Sequence, residues 1–231
     1  MSSIRPALWA ALAMACGLLL AGCGDSGGLV SAGATQTAAG PVELWPRALP
    51  TISVPPIDYG ERDTQRVAGV RTPDARAVSP AAVVRADVSA QPAGSARTDG
   101  LTPATVRQLS GCTPRPSTCP LLKPFYSDLT GDGKDELIVG ISLPDKQTSI
   151  RVYMPENGGL TRILQDAEPI VGVSLTQHAL IMRSVSAGIP GYEYRTVWTW
   201  DAHQQAMLAT QSDIVRTKPG ASSPEPPLEN R

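Results

Sequence analysis

From Leu137 to Thr210 the chain repeats one unit: four to seven residues, most of them rich in β-branched or aromatic side chains, and then a turn. The candidate strands are Leu137–Leu143, Ser149–Met154, Leu160–Leu164, Ile170–Thr176, Ala179–Ser184, Tyr194–Trp200 and Met207–Thr210. Between them stand Pro144-Asp145, PENGG at Pro155–Gly159, GIPG at Gly188–Gly191 and DAHQQ at Asp201–Gln205. Connections this short join only antiparallel neighbours, and the spacing of about ten residues predicts an antiparallel meander or sandwich. The expected fold class is therefore mainly β. One short N-terminal helix precedes the strands: Thr102 and Pro103 supply an N-cap and a first helical residue for ATVRQL, which stops at Gly111.

Upstream of Leu101 the composition changes. From Gly24 to about Asp99, Ala, Pro, Ser, Gly, Thr, Val and Arg dominate without a period of 2 or 3.6. Such a stretch buries too little apolar surface to offset its ordering entropy. The reading is a disordered tether over 23–100 and a β domain over 101–217, followed by a disordered tail over 218–231. About 75 residues of coil reach on the order of 50 Å. One patch resists this description, Val42 to Ile57 (VELWPRALPTISVPPI), where Trp45 sits among aliphatics and prolines. It is either a piece that docks onto the domain or a recognition segment for something else.

The N-terminus reads as an address. Arg5 precedes an apolar run, Ala7 to Ala21, too short for a comfortable membrane span. Its end, Leu20-Ala21-Gly22-Cys23, resembles the bacterial lipobox. That resemblance implies a signal peptide over 1–22, lipidation of Cys23, and a protein anchored in membrane lipid on the extracytoplasmic face of the cell membrane. The formal net charge of -1 offers no field for nucleic acid. With Cys16 lost and Cys23 lipidated, Cys112 and Cys119 remain in an oxidising compartment and are expected to form a disulfide. Zinc is the competing reading, but two cysteines need further ligands and neither His178 nor His203 has suitable spacing.

The stretch DLTGDGKDE places oxygen donors at alternate positions: Asp128, Thr130, Asp132, the carbonyl of Lys134, and Glu136. Glycine follows the third donor, where a loop around a hard cation turns sharply. The expectation is a structural calcium ion of extracellular-module affinity, roughly 10⁻⁴–10⁻³ M. Asp135 lies between ligand positions and is expected to face water. The competing reading is a solvated turn that binds nothing. An EF-hand is excluded, because its bidentate glutamate would fall at Val139. The loop followed by the strand ELIVGI resembles the calcium-binding blades of FG-GAP and VCBS repeat proteins over about 15 residues, with Thr130 in place of the usual Asn or Asp. That resemblance implies a partial, propeller-like arrangement, since the domain carries strands for about two blades.

No nucleophile elbow or phosphate-cradling loop appears; SVSAG at Ser184–Gly188 lacks the leading glycine. The expectation is a protein that is not an enzyme. In YEYRTVWTW, strand alternation puts Tyr192, Tyr194, Thr196, Trp198 and Trp200 on one face. That stripe is either core or a binding platform, with Tyr192, Tyr194 and Trp198 as the candidate binding residues. The lipobox, DLTGDGKDELIVGI and PGYEYRTVWTWD together resemble the CseA-like lipoproteins of actinobacteria, which are encoded beside a cell-envelope-stress sigma factor and its sensor kinase. This resemblance implies a non-enzymatic regulator whose partner is the extracellular domain of a sensor kinase. The alternative is a module that binds cell-wall glycan or peptide through the aromatic stripe.

Overall fold

In the computed structural model, the described residues (40–46, 64–90, 101–112, 116–186 and 188–217) build two five-stranded antiparallel sheets and two helices. They lie within one compact unit, Ala39–Arg231. The signal peptide, Cys23 and the tail 218–231 lie outside the described residues, as do 24–39, 47–63 and 91–100 of the expected tether.

The first sheet runs β2 (Gln65–Arg71), β6 (Gly159–Glu168), β5 (Thr148–Glu156), β4 (Glu136–Ser142), β3 (Phe125–Ser127). The second runs β1 (Val42–Glu43), β7 (Ile170–Leu175), β8 (Ala179–Val185), β9 (Tyr192–Asp201), β10 (Ala206–Arg216). Each sheet thus holds one four-stranded meander, β3–β6 and β7–β10, with a strand from further upstream added at one edge. The chain passes from the first sheet to the second at Pro169 alone.

The first sheet is the middle of three layers, which explains why ELIVGI is apolar throughout rather than alternating. Ile138 faces the second sheet with Ile150, Val152, Leu164, Ile170, Val173 and Leu180. Leu137, Val139 and Ile141 point the other way, onto Val83, Val84 and Val88 of α1 (Pro80–Ser89) and Leu109 of α2 (Pro103–Ser110). Helix α2 begins as its sequence implies: Thr102 Oγ1 accepts from Thr105 N at 3.2 Å, and Pro103 stands at the first turn. Cys112 and Cys119, just beyond it, are joined as a disulfide.

Two expectations need correction. The domain starts well upstream of Leu101, because β2 and α1 lie inside the stretch that composition assigns to the tether. Among the described residues there are accordingly two helices where one was expected. Local composition misleads here because α1 offers only a narrow apolar stripe, Val83, Val84 and Val88, and the sheet supplies the rest of the core.

The patch around Trp45 docks. Residues Val42–Glu43 pair with β7, and Leu44 N donates to Val173 O at 2.9 Å. Trp45 is buried, meets Phe125 edge-on at 5.6 Å, and donates from Nε1 to the Lys123 carbonyl at 2.9 Å. Gly140 makes room for it: a Cβ there would stand 3.2 Å from the indole and 2.8 Å from Leu122. Burying an indole contributes at most about 5 kcal/mol by area.

Candidate metal centre

The loop between β3 and β4 is folded onto itself by backbone geometry. Gly131 and Gly133 both take left-handed φ, +79° and +82°, which side chains with a Cβ rarely adopt. The turn presents amides inward. Asp128 accepts from Gly131 N at 2.7 Å and from Gly133 N at 3.0 Å through its two carboxylate oxygens. Glu136 accepts from Leu129 N at 2.6 Å and Thr130 N at 3.1 Å, and the Thr130 hydroxyl donates to it at 3.3 Å. The side chains of Thr130 and Glu136 therefore meet, and Asp128 is drawn over the same turn.

Asp132 behaves differently. Its carboxylate accepts from Lys134 N at 2.9 Å and faces the exposed Lys134 ammonium at 3.6 Å. Among the described residues, no three His, Cys, Asp or Glu side chains stand close enough together to hold a metal ion. Of the expected ligands, Thr130 and Glu136 are thus in contact, Asp128 caps the same turn, and Asp132 lies exposed beside Lys134 with its charge still acting on Glu136.

Glu136 is fully buried at the start of β4, and burial pushes its carboxyl up to about 7 against the lowering effect of the Leu129 and Thr130 amides. Leu129, invisible to any reading of alternate acids, is 1% exposed and inserts into the core between the sheets. It fastens the loop to the sandwich. Its signal in the sequence is a leucine at an otherwise polar position.

Two contacts with distant elements complete the anchoring. Asp135 is turned to the partly exposed surface, as its position between ligands suggested, and it has a partner there. It pairs with Arg76 at 2.6 Å, and that guanidinium lies 4.6 Å over the Tyr126 ring. His178, in the turn between β7 and β8, is hydrogen-bonded through Nδ1 to the Asp128 carbonyl at 2.9 Å. His203 sits in the turn after β9, where Asp201 accepts from its amide at 2.9 Å.

The aromatic stripe keeps its alternation, and its tryptophan end packs against the core. In β9, Trp198 stands opposite Leu180 and Thr196 opposite Met182, so the stripe looks toward the first sheet. Trp198 and Trp200 pack against the core, and the Trp198 Nε1 is buried. Tyr192 and Tyr194 are half-buried at the other end. Of the candidate binding residues, Trp198 thus packs against the core, while Tyr192 and Tyr194 keep part of their surface exposed.

A second polar cluster was not foreseen. Asp87 of α1, fully buried, accepts from the equally buried Arg151 and Arg162 (2.6 Å for the latter) and from the Tyr153 hydroxyl at 2.9 Å. Burial holds the Tyr153 phenol well above its ordinary titration. The available signal was a pair of arginines at positions where β5 and β6 otherwise alternate apolar residues.

No family model matches the chain, and no curated protein or solved structure is significantly similar to it.

Proposed function

We propose that this chain is an extracytoplasmic lipoprotein, held to the membrane through Cys23, that acts without catalysis by docking on the extracellular domain of an envelope-stress sensor. The lipobox at Leu20–Cys23 carries the location. A calcium ion in the loop 128–136 is part of the same reading. Supporting it is the convergence of Asp128, Thr130 and Glu136 on one turn, at positions 1, 3 and 9 of the spacing a hard cation requires. When bound, the ion would neutralise the carboxylates that the turn draws together. The protein's own residues do the remaining work: Leu129 fixes the loop to the core and Arg76 holds Asp135 aside.

The absence of catalytic chemistry in the reading rests on the histidines. His178 is committed to the Asp128 carbonyl, and His203 belongs to a turn. The packing of the partly buried Trp198 against the core weighs against the glycan alternative.

The test is photocrosslinking in cells from position 214, because Ile214 is 51% exposed on β10. An adduct with a sensor's extracellular domain, lost in the Cys23→Ala protein, is the expected result. Adducts with wall glycan alone, or unchanged stress-reporter output in Cys23→Ala cells, would sink the proposal. Calcium is tested separately by titration calorimetry on the full chain. Asp128→Asn should weaken binding, and identical isotherms would remove the ion from the reading.

A further inference from the structure

We propose that the corner at Pro169, where the chain passes from one sheet to the other, is a hard-cation site formed by Asp166, Glu168 and Ser186, and that it takes a divalent ion of the calcium class. It is independent of the acidic loop.

Register brings these groups together. On β6, Asp166 stands opposite Ile150 and Glu168 opposite Thr148, so both carboxylates look toward the second sheet. Across the corner, Ile170 pairs with Ser184, and Val185 N donates to Pro169 O at 3.3 Å. Continuing that ladder by one residue sets Ser186 opposite Glu168. The pleat turns Ser184 and Ser186 to the same side, and the Ser184 hydroxyl is hydrogen-bonded to Glu168.

The cluster is unfinished. Asp166 Oδ2, Glu168 Oε1 and Ser186 Oγ are each buried without a protein hydrogen-bond partner. Glu168 is 4% exposed and Ser186 2%, so these oxygens have left water and found no replacement donor. Two carboxylates brought this close repel, and the charge acting on Asp166 is that of Glu168 rather than of any cation. Two arginines of the second sheet are spent elsewhere, Arg183 on Glu43 and Glu193 and Arg195 on Asp213, on the opposite face, and Arg216 at the end of β10 is exposed opposite Tyr192. Burial with mutual repulsion raises the carboxyl of Asp166 to about 7, and burial raises that of Glu168 as well. A divalent cation supplies what the site lacks, positive charge and a shared partner for three oxygens. Every donor is oxygen, which suits calcium or magnesium rather than zinc or copper. A short strand-to-strand corner gives the loose geometry that calcium tolerates and magnesium does not. Asp166 is itself half-buried, which leaves the ion a way in.

Calcium stoichiometry on the full chain separates this site from the loop. Titration calorimetry is run on the wild type, on an Asp128→Asn, Asp132→Asn protein, and on an Asp166→Asn, Glu168→Gln protein. Two ions in the wild type and one in each variant is the expected result. One ion lost with the corner variant alone would leave this site standing without the loop. One ion lost with the loop variant alone, or no calcium bound by any protein, would overturn the corner site. Ser186→Ala is the gentler variant should the double substitution fail to fold. It should weaken calcium binding to the loop-substituted protein about tenfold, and unchanged affinity would count against the site.

Discussion

Asp87→Asn tests whether α1 belongs to the domain or to a tether. The carboxylate is fully buried and accepts three hydrogen bonds, two from the buried guanidiniums of Arg151 and Arg162 and one from Tyr153. The substitution keeps the shape of the side chain and removes its charge, so both arginines lose an anionic acceptor in a place water does not reach. Breaking a buried charge pair from one side costs about 3–5 kcal/mol. In a folded unit of this size, that lowers Tm on the order of 10 °C. Two controls bracket the number. Tyr153→Phe removes one hydrogen bond to the same oxygen and should cost about 1 kcal/mol. Arg85→Ala, at an exposed position of the same helix, should stay within about 0.5 kcal/mol of wild type. The assay is urea unfolding of the full chain followed by tryptophan fluorescence, since Trp45, Trp198 and Trp200 all sit in or against the core. If Asp87→Asn matched Arg85→Ala, the helix would not be docked and the composition-based tether reading would be right after all.

Three further outcomes follow from the same packing. Leu129→Ala should cost about 2–5 kcal/mol, because the side chain fills the core and leaves a cavity; a loss below about 1 kcal/mol in urea melts would mean that the loop is not anchored there. Burial raises the Asp166 carboxyl from 3.8 to about 7, so folding favours its protonated form. Calcium-free protein should therefore lose that share of its stability as pH climbs from about 4 to about 7. Asp166→Asn cannot ionise, and the gap between it and wild type should open across that window; a constant gap would contradict the burial. Reduction of Cys112–Cys119 should lower stability by about 2.5 kcal/mol through the entropy of a small closed ring, measured by melts with and without reductant.

The strands were legible because their signal is local. β-Branched and aromatic runs bounded by PENGG, GIPG and DAHQQ can pair only with their neighbours, whatever the rest of the chain does. The helix at Pro103 was legible for the same reason, since its Thr102 cap and its proline act within one turn. The curl of the acidic loop was local too: Gly131 and Gly133 had to adopt the left-handed conformation for the chain to turn there.

Tertiary structure decided the rest, wherever a side chain's partner is distant in sequence. Helix α1 has too little apolar surface to stand alone, and it exists because Leu137, Val139 and Ile141 offer it a surface to cover. Arg76 reaches Asp135, Asp87 reaches Arg151 and Arg162, and Trp45 lands on Gly140, each across a separation that no local pattern records. The aromatic stripe makes the division plain. Alternation along β9 put four rings on one face, but only the arrival of the first sheet packed Trp198 and Trp200 of that face against the core, because burial depends on what packs opposite and not on the strand itself.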